Sequence, residues 1–253
     1  MTVKIAIPEP TSSDTAYNQR SLAPYLFALH SAGATPVVVP LHESQARVAR
    51  LLHGVQGILL PGSRFDVDPQ RYNEERVPEC SDADPARAAV DELLLQDAFG
   101  MQKPVLAICH GHQTLNVWCN GKLIQDLKTE VNHRPGREII AAHAVQVVPG
   151  SFLDALVPSN DGEHLFVNSS HHQSIGVVGD NLRVSAVSPV DGVIEAVELE
   201  SANHFVLGVQ WHPERTYAVS ALSRAIFAAF VSRSSEFRPR EIRESVVLQE
   251  GVR

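Results

Sequence analysis

The chain lacks the features that mark secreted, membrane-spanning and nucleic-acid-binding proteins. Its three cysteines, Cys80, Cys109 and Cys119, form no CxxC or other paired spacing, which favours a reducing compartment over an oxidising one. The longest apolar runs are about as long as a strand, whereas a membrane-spanning helix needs roughly 20 apolar residues. The first residues, MTVKIAI, have the pattern of a strand and not of a signal peptide. These absences predict a cytoplasmic protein with no membrane segment.

Basic charge is also scarce. The 21 lysines and arginines are outnumbered by 29 aspartates and glutamates, which gives a net charge of −8 at pH 7. No basic stripe with interleaved aromatic residues occurs, so we expect neither nucleic acid nor an anionic membrane as a partner. Hydrophobic residues make up 44% of the 253 residues, which is enough for a sizeable core and excludes disorder for most of the chain.

The sequence gives no sign of a boundary between domains. It contains no internal repeat, no low-complexity segment and no linker, so residues 1–253 are predicted to form one domain. The charged tail, residues 237–253, is expected either to move or to pack on a partner. Formation of a homodimer stays an open alternative.

Strand and helix patterns alternate in the first half of the chain. We predict strands over 3–7, 35–41, 57–60 and 104–108, and helices over about 19–32, 44–52 and 84–99. This βαβα order predicts an α/β fold with a parallel sheet and helices on both faces. In the second half, short strand-like segments lie near 121–127, 139–148, 164–167, 182–187, 193–199 and 205–211. They predict a smaller antiparallel sheet, followed by a last helix over about 217–233.

Residues 104–113, PVLAICHGHQ, are the most informative stretch. An apolar strand ends on Cys109, and small and polar residues then open a helix, which is the layout of a nucleophile elbow. Ala107 and Gly111 lie two residues on either side and let strand and helix approach closely. The free N–H groups and the dipole at the helix N-terminus stabilise a thiolate there. The alternative is a packed cysteine at a strand end, which is common and which we favour for Cys119.

A second motif, VLGVQWHPE at 206–214, is an apolar strand that ends in His-Pro-Glu. Pro213 biases His212 towards an extended conformation, in which the side chains of His212 and Glu214 lie on one face. The carboxylate can then fix the tautomer of the imidazole and stabilise its charged form. Alternatively, the triplet is a surface turn with a solvated glutamate. Taken together, the two motifs predict a catalytic triad of Cys109, His212 and Glu214 as nucleophile, base and orienting residue.

The positions of these residues in the predicted fold point to one site. Cys109, Gly62 and His212 each follow the carboxyl end of a predicted strand. In open α/β sheets, ligands bind beyond these ends. The loop over 8–18, after the first strand, meets the same edge and is expected to wall the pocket.

The motifs resemble those of a known family. AICHGHQ and GVQWHPE are similar to the class I glutamine amidotransferase superfamily, which has a Cys-His-Glu triad. Two further segments, LLPGS at 59–63 (followed by Asp66, Pro69 and Tyr72) and VNSSHHQ at 167–173, resemble the gamma-glutamyl-gamma-aminobutyrate hydrolase branch. Ala107 stands where most amidotransferases carry glycine, which favours the hydrolases. His110, however, stands where the hydrolases often carry arginine, so the leaving group stays open.

The resemblance implies a flavodoxin-like core and a cysteine-dependent hydrolase. Such an enzyme cleaves the gamma-glutamyl amide bond of a small compound through a thioester and releases glutamate and an amine, as in polyamine breakdown. The implied oxyanion-hole donors are the backbone amides of Gly62 and His110, and the implied substrate contacts are Gln113, Ser170 and His171. No cofactor is expected, and the expected partner is the small substrate, with a homodimer as an open alternative.

Metal binding is not predicted either, since no HExxH motif or Cys/His cluster occurs. His110 and His112 are two residues apart at a helix start and would not face one ligand position. Arg64 and Arg134 are equally consistent with contacts for a substrate carboxylate and with solvated loop residues.

Two other functions stay open. A glutaminase subunit would supply ammonia to a separate synthetase, although this chain contains no synthetase domain. A non-catalytic binding or regulatory protein could use the same fold, but the fold alone would not require an intact Cys109, His212 and Glu214.

Overall fold

A mixed β-sheet forms the centre of the computed structural model, which describes residues 2–158 and 165–239. Its strands are β1 (Val3–Pro8), β2 (Ala34–Val39), β3 (Gly57–Leu60), β4 (Val105–Ile108), β5 (Lys122–Ile124), β6 (His143–Val147), β7 (Leu165–Val167), β8 (Ser174–Val177), β9 (Leu182–Val187), β10 (Ile194–Leu199) and β11 (Val206–Val209). The helices are α1 (Thr15–Ser31), α2 (Gln45–His53), α3 (Pro85–Met101), α4 (His110–Trp118), α5 (Pro213–Thr216) and α6 (Ala221–Glu236).

The strand order is β2-β1-β3-β4-β11-β10-β9-β6-β7, and β8 pairs with β10 and β5 beside this path. The first five strands of this order run parallel, and the pairing turns antiparallel between β11 and β10. The predicted α/β class, with a parallel core and antiparallel strands in the second half, is confirmed. The antiparallel strands do not form a separate sheet, however. They extend the parallel one, because β11 pairs with β4 on one side and β10 on the other.

Helices cover both faces of the sheet. Successive strand residues point to opposite faces, so Ile5 and Ile7 pack in the core beneath α1 and α6, whereas Ala6 packs beneath α2 and α3. Each core contains apolar side chains that are almost fully excluded from solvent. Within the described residues, no helix has the length and apolar character needed to cross a membrane.

Several element boundaries differ from the predicted ones for local reasons. Helix α1 begins four residues earlier than predicted, because the Asp14 side chain accepts a hydrogen bond from the backbone N–H of Tyr17 and caps the helix. Helix α6 begins later than predicted, at the residue after Ser220, whose side chain caps it in the same way. Strand β8 was not predicted. Residue 164 of a predicted strand, and residues 240–253 of the predicted tail, lie outside the described residues.

The strand register brings three chain segments together at one edge. Leu60 pairs with Ala107, and Ile108 pairs with Val209. The residues that follow β3, β4 and β11 therefore meet at the carboxyl end of the parallel sheet.

Candidate active site

Cys109 occupies a tight turn between β4 and α4. Its φ of 54° and ψ of −107° place it in a region that residues with a side chain rarely adopt. A side chain on Gly111 would lie 2.3 Å from the carbonyl oxygen of Leu60, so only glycine lets α4 pass this close to β3. The turn thus holds the Cys109 side chain, which is 6% exposed, at the start of a helix and at the edge of the sheet.

His212 and Glu214 form a buried pair after β11. The Nδ1 atom of His212 lies 2.8 Å from Oε1 of Glu214, and both residues are 3% exposed. The Asn168 side chain fixes the backbone of His212 from the other side. It accepts a hydrogen bond from the His212 N–H at 2.8 Å and donates one to the His212 carbonyl at 2.7 Å. The imidazole is therefore held in one orientation.

The electrostatics of the pair favour a charged imidazole. Burial lowers the pKa of His212, but the carboxylate of Glu214 and the adjacent Cys109 outweigh it, so the pKa lies above its usual value. Burial likewise raises the pKa of Glu214, but His212 outweighs it and the pKa is lowered. The carboxylate therefore stays ionised beside the ring.

The outer nitrogen of His212 is available to the cysteine. Its Nε2 atom has no hydrogen-bond partner among the described residues. A side-chain carbon built on Gly62 would lie 3.2 Å from Cε1 of His212 and 3.6 Å from Cβ of Cys109. Cys109, His212 and Gly62 thus surround one small space, as their positions at strand ends predicted.

The Gly62 amide is held by two residues that the sequence analysis did not identify. The buried Arg87 donates a hydrogen bond from Nη2 to the Pro61 carbonyl at 2.7 Å, and its Nε pairs with Asp91 at 2.8 Å. Because the peptide is trans, the Gly62 N–H points the opposite way, and it donates to the Tyr25 hydroxyl at 3.0 Å. An oxyanion at this amide would have to share it with Tyr25.

Tyr25 is 2% exposed and keeps its proton. Burial and the Glu214 charge raise its pKa well above the usual value. Its oxygen already accepts the Gly62 N–H, so its own O–H is free to donate. No sequence pattern indicates this role of Tyr25, because the residue lies in the middle of α1, remote from every motif.

The second proposed oxyanion donor is the backbone N–H of His110, which is the first residue of α4. Its ring is buried, and burial together with Arg87 lowers the pKa of His110 to about 3. The ring is therefore neutral and adds no charge to the site.

A cleft of about 370 Å³ opens over these groups. Of the three predicted substrate contacts, Ser170 is exposed at its wall. Gln113 also lines it, but its Nε2 already donates to the Gln173 carbonyl at 3.1 Å and to Gln210 at 3.2 Å. The ring of His171 is buried and bonds the Gln173 carbonyl through Nδ1 at 2.9 Å.

Arginines line the outer part of the cleft. Arg64 forms an ion pair with Asp14 at 2.9 Å. Arg134 and Arg137 are exposed, and neither is ion-paired with a described residue. These two guanidinium groups are available to a carboxylate ligand.

The wall opposite carries a histidine between two carboxylates. His172 lies 3.1 Å from Asp66 through Nε2 and 3.1 Å from Asp126 through Nδ1. The hydrogen bond to Asp66 is the main cause of a raised pKa of His172, and Asp126 adds to it. The pKa values of both carboxyl groups are lowered. The three side chains tie the loop after β3 to the loop after β5 and to the segment before β8.

Replacing His172 by glutamine is expected to lower the melting temperature by about 2–4 °C, and by less at high pH. Because the pKa of His172 is raised, its charged ring stabilises the folded protein fully below pH 6.5, the usual pKa of histidine. This contribution is lost as the pH rises through the raised pKa. The carboxylates of Asp66 and Asp126 contribute to stability above pH 3.8, their usual pKa. This contribution is lost as the pH falls through their lowered pKa values. Thermal melts between pH 4 and 9 should show the widest gap between about 4 and 6.5. A His42→Gln variant should match the wild type throughout, since His42 is exposed. An equal gap at pH 5 and pH 9 would contradict the assignment.

A second group of ionisable side chains lies close behind the cleft wall. One ligand atom from each of His133, His143, His171 and Glu195 lies within 4.8 Å of the others, and all four residues are buried. This set could hold a metal ion. The sequence predicts no metal site here, because these residues are scattered over 63 positions and match no spacing pattern.

A larger cavity, of about 660 Å³, lies at the opposite end of the strands. It is lined by Pro104 and Val206, at the amino ends of β4 and β11, and by phenylalanines such as Phe152 and Phe205. It contains no cysteine.

Comparisons with known proteins identify the family of the chain. The sequence profile of the family described as Peptidase C26 matches residues 4–214. The gamma-glutamyl-gamma-aminobutyrate hydrolase PuuD of Escherichia coli (strain K12) is 38% identical over 219 residues, which cover 82% of this chain and 84% of that protein. A provisionally named glutamine amidotransferase of Mycobacterium tuberculosis is 36% identical over 225 residues, covering 86% of this chain and 71% of that protein.

A solved structure shares the fold. A provisionally named GMP synthase component of Thermoplasma acidophilum superposes with a TM-score of 0.63 over 94% of this chain and 96% of that chain, at 17% identity. This likeness concerns the fold alone. With the profile match over most of the chain and relatives at well above 30% identity, the chain belongs to the Peptidase C26 family, which is class I glutamine amidotransferase-like.

Proposed function

We propose that the protein is a cysteine-dependent hydrolase that cleaves the gamma-glutamyl amide bond of a small compound, such as gamma-glutamyl-gamma-aminobutyrate, into glutamate and an amine. The observation that carries the proposal is the buried His212–Glu214 pair, whose unpartnered Nε2 lies beside a cysteine in an elbow turn. Nucleophile, base and orienting group are the parts that covalent amide hydrolysis needs.

The proposed reaction uses these three groups in turn. The Cys109 sulfur adds to the gamma-carbonyl carbon, and Nε2 of His212 takes up or already holds the thiol proton. The imidazolium, stabilised by Glu214, then protonates the leaving nitrogen as the C–N bond breaks, which leaves a gamma-glutamyl thioester. Water gives a proton to His212 and adds to the thioester carbon. The C–S bond breaks, glutamate leaves and the proton returns to Cys109.

The oxyanion formed in each addition needs donors in the same space. The Gly62 N–H, oriented by Arg87 on the Pro61 carbonyl and donating to the Tyr25 hydroxyl, is the first backbone donor in this proposal. The His110 N–H, at the start of α4, is the second backbone donor in this proposal, and the free Tyr25 O–H is a third. Donors fixed before the substrate binds lower the barrier because they need no reorganisation during the reaction.

Replacing Tyr25 by phenylalanine tests the third donor. We expect kcat to fall about 10- to 100-fold with little change in KM, because the hydroxyl acts on the charge of the transition state and not on the bound substrate. Steady-state kinetics and a thermal melt of both proteins measure this. An unchanged or increased kcat would mean that the hydroxyl only occupies the Gly62 amide.

The substrate class is supported by the relatives and by the cleft. PuuD, at 38% identity, is named for gamma-glutamyl-gamma-aminobutyrate. Arg134 and Arg137 are available in the outer cleft for a carboxylate on the leaving amine. A charge-assisted contact of this kind changes kcat/KM by roughly 10- to 100-fold.

The deciding experiment is a substrate panel of gamma-glutamyl-gamma-aminobutyrate, gamma-glutamyl anilide and glutamine, with release of free glutamate as the readout. We expect the first compound to be cleaved with the highest kcat/KM, and the preference over the anilide to shrink in an Arg134→Ala, Arg137→Ala double variant. No cleavage of either gamma-glutamyl amine by the wild type would overturn the proposal.

A glutaminase subunit is the second candidate function. It is favoured by the 36% identical relative from Mycobacterium tuberculosis, which is named as a glutamine amidotransferase. In that case the panel would show slow turnover of glutamine alone, and the rate would rise only when a synthetase partner is added.

A further inference from the structure

Four buried side chains behind the cleft wall converge on one point. The Oε1 atom of Glu195 lies 3.4 Å from Nδ1 of His133, 3.5 Å from Nε2 of His143 and 3.7 Å from Nε2 of His171. These distances exceed the 2.7–3.2 Å of an ordinary N–H···O hydrogen bond. The ring of His133 also lies 4.5 Å from that of His143 and 4.8 Å from that of His171, measured between centroids. The atoms surround a gap and do not bond across it.

The atoms that face this gap have no partners. Among the described residues, no hydrogen bond reaches Nδ1 of His133, Nε2 of His143, Nε2 of His171 or either carboxylate oxygen of Glu195. Glu195 is 0% exposed, so its carboxylate does not face bulk solvent. Buried polar atoms are almost always satisfied, and a buried unpaired carboxylate is costly. One cation at this point would satisfy the three inner ring nitrogens and a carboxylate oxygen together.

The outer nitrogens of the same rings are all occupied. Nε2 of His133 lies 2.9 Å from Asp191, Nδ1 of His143 lies 3.1 Å from the Ala144 carbonyl, and Nδ1 of His171 lies 2.9 Å from the Gln173 carbonyl. Carbonyl and carboxylate oxygens only accept, so the ring protons lie on these outer nitrogens. The inner nitrogens of the neutral rings then present lone pairs to the carboxylate. Histidines bound to a metal are oriented in this way by carboxylates and carbonyls.

Protons alone do not resolve the cluster. The outer nitrogen of each ring already faces an acceptor, so a proton added to the inner nitrogen of one ring would satisfy a single contact with Glu195. The lone pairs of the other two rings would still face the carboxylate.

We propose that His133, His143, His171 and Glu195 bind one transition-metal ion of the zinc class. Imidazole and carboxylate ligands suit Zn²⁺, whereas Ca²⁺ and Mg²⁺ take oxygen ligands almost exclusively. Tetrahedral zinc sets its ligand atoms about 3.4 Å apart. The distances to Glu195 already approach this value, and the rings need to close in slightly. The charges of Glu195 and Asp191 neutralise a divalent ion.

The ion would have a structural role. Four protein ligands fill a tetrahedral site and leave no position for a reacting water. His133 accepts two hydrogen bonds at its carbonyl from the neighbouring segment, one from the Ser169 hydroxyl at 2.8 Å and one from the His171 N–H at 3.0 Å. The same segment contains Asn168, which holds the backbone of His212. The metal would therefore fix the cleft wall against the sheet. It would also fix the position of Asn168, which holds the backbone of His212.

The test is direct metal binding by the full chain. It should be done in a Cys109→Ala background, so that a thiolate cannot bind the probe. After dialysis against a chelator, Co²⁺ is added and the visible absorption of tetrahedral cobalt is followed, with Zn²⁺ as competitor. We expect one equivalent to bind and to be displaced by Zn²⁺. With free metal about 100-fold above Kd, the melting temperature should rise by roughly 5–10 °C.

Variants locate the site. His143→Gln and Glu195→Gln should abolish the cobalt spectrum, and Asp191→Asn should weaken binding about 10- to 100-fold because it removes the support of one ligand. His42→Gln, a matched change on the surface, should bind as the parent does. If the stripped parent takes up no Co²⁺ and its melting temperature is unchanged, the proposal is wrong. It is also wrong if the spectrum survives in both His143→Gln and Glu195→Gln. These readouts need no activity, so they stand whatever substrate the enzyme takes.

Discussion

Replacing Cys109 by alanine is expected to abolish release of glutamate from gamma-glutamyl amides, with kcat lowered by about 10⁵-fold or more. The sulfur forms the covalent bond of the proposed mechanism, and no other described side chain beside His212 can take its place. The strain of the elbow backbone, at a φ of 54°, is retained by alanine, so the fold and the melting temperature should change little. Steady-state kinetics on the substrate panel and a thermal melt measure both effects.

Cys119 provides a matched control. It is buried like Cys109 and lies at the other end of the same helix, α4. Burial is the main cause that raises the pKa of Cys119 to about 12, so its thiol is inert at neutral pH. Cys119→Ala should keep its activity, and brief alkylation of the wild type followed by mass spectrometry should modify Cys109 first. Activity that survives in Cys109→Ala, or labelling that favours Cys119, would refute the assigned nucleophile.

The parts of the site that could be predicted are those encoded over short distances in the chain. The elbow needs a strand, Cys109 and a small residue two positions later, and all three lie within one run of sequence. The contact between His212 and Glu214 was predicted from side chains two residues apart in an extended chain, but Glu214 makes it from the first turn of α5, which begins at Pro213. The parallel sheet follows from alternating strand and helix patterns, and it places the ends of β3, β4 and β11 at one edge.

The supporting residues could not be predicted, because their contacts join distant parts of the chain. Tyr25 reaches Gly62 across 37 positions, and Arg87 reaches Pro61 across 26. Neither residue lies in a motif. Only the packing of α1 and α3 on opposite faces of the sheet brings them to the loop after β3, one on each side of the peptide that carries the proposed donor.

The histidine cluster could not be predicted for the same reason. The motif that contains His171 predicts a substrate contact, because it also contains Ser170, which is exposed in the cleft. In a segment of this kind, adjacent side chains point in different directions, and the ring of His171 turns inward to Glu195. Burial and the partner of each ring nitrogen separate the two roles, and neither is visible in the sequence.

Replacing Glu214 by glutamine is expected to lower kcat by about 10³- to 10⁴-fold with the fold intact. Glutamine keeps the shape of the side chain but can donate its own N–H to Nδ1 of His212. The ring proton then moves to Nε2, where the base must accept the thiol proton. A Glu200→Gln variant on the surface serves as control and should behave as the wild type.

The pH dependence of stability gives this variant a second readout. The pKa of Glu214 is lowered, so its contribution is present above its usual value of 4.5 and is lost as pH falls through the lowered value. The pKa of His212 is raised, so its contribution is full below 6.5 and is lost as pH rises through the raised value. The difference in melting temperature between wild type and Glu214→Gln should therefore be largest between about pH 4.5 and 6.5. If kcat falls but this difference is flat across pH, Glu214 does not act through the charge of His212. If kcat is unchanged, the proposed orienting role fails, whatever the melts show.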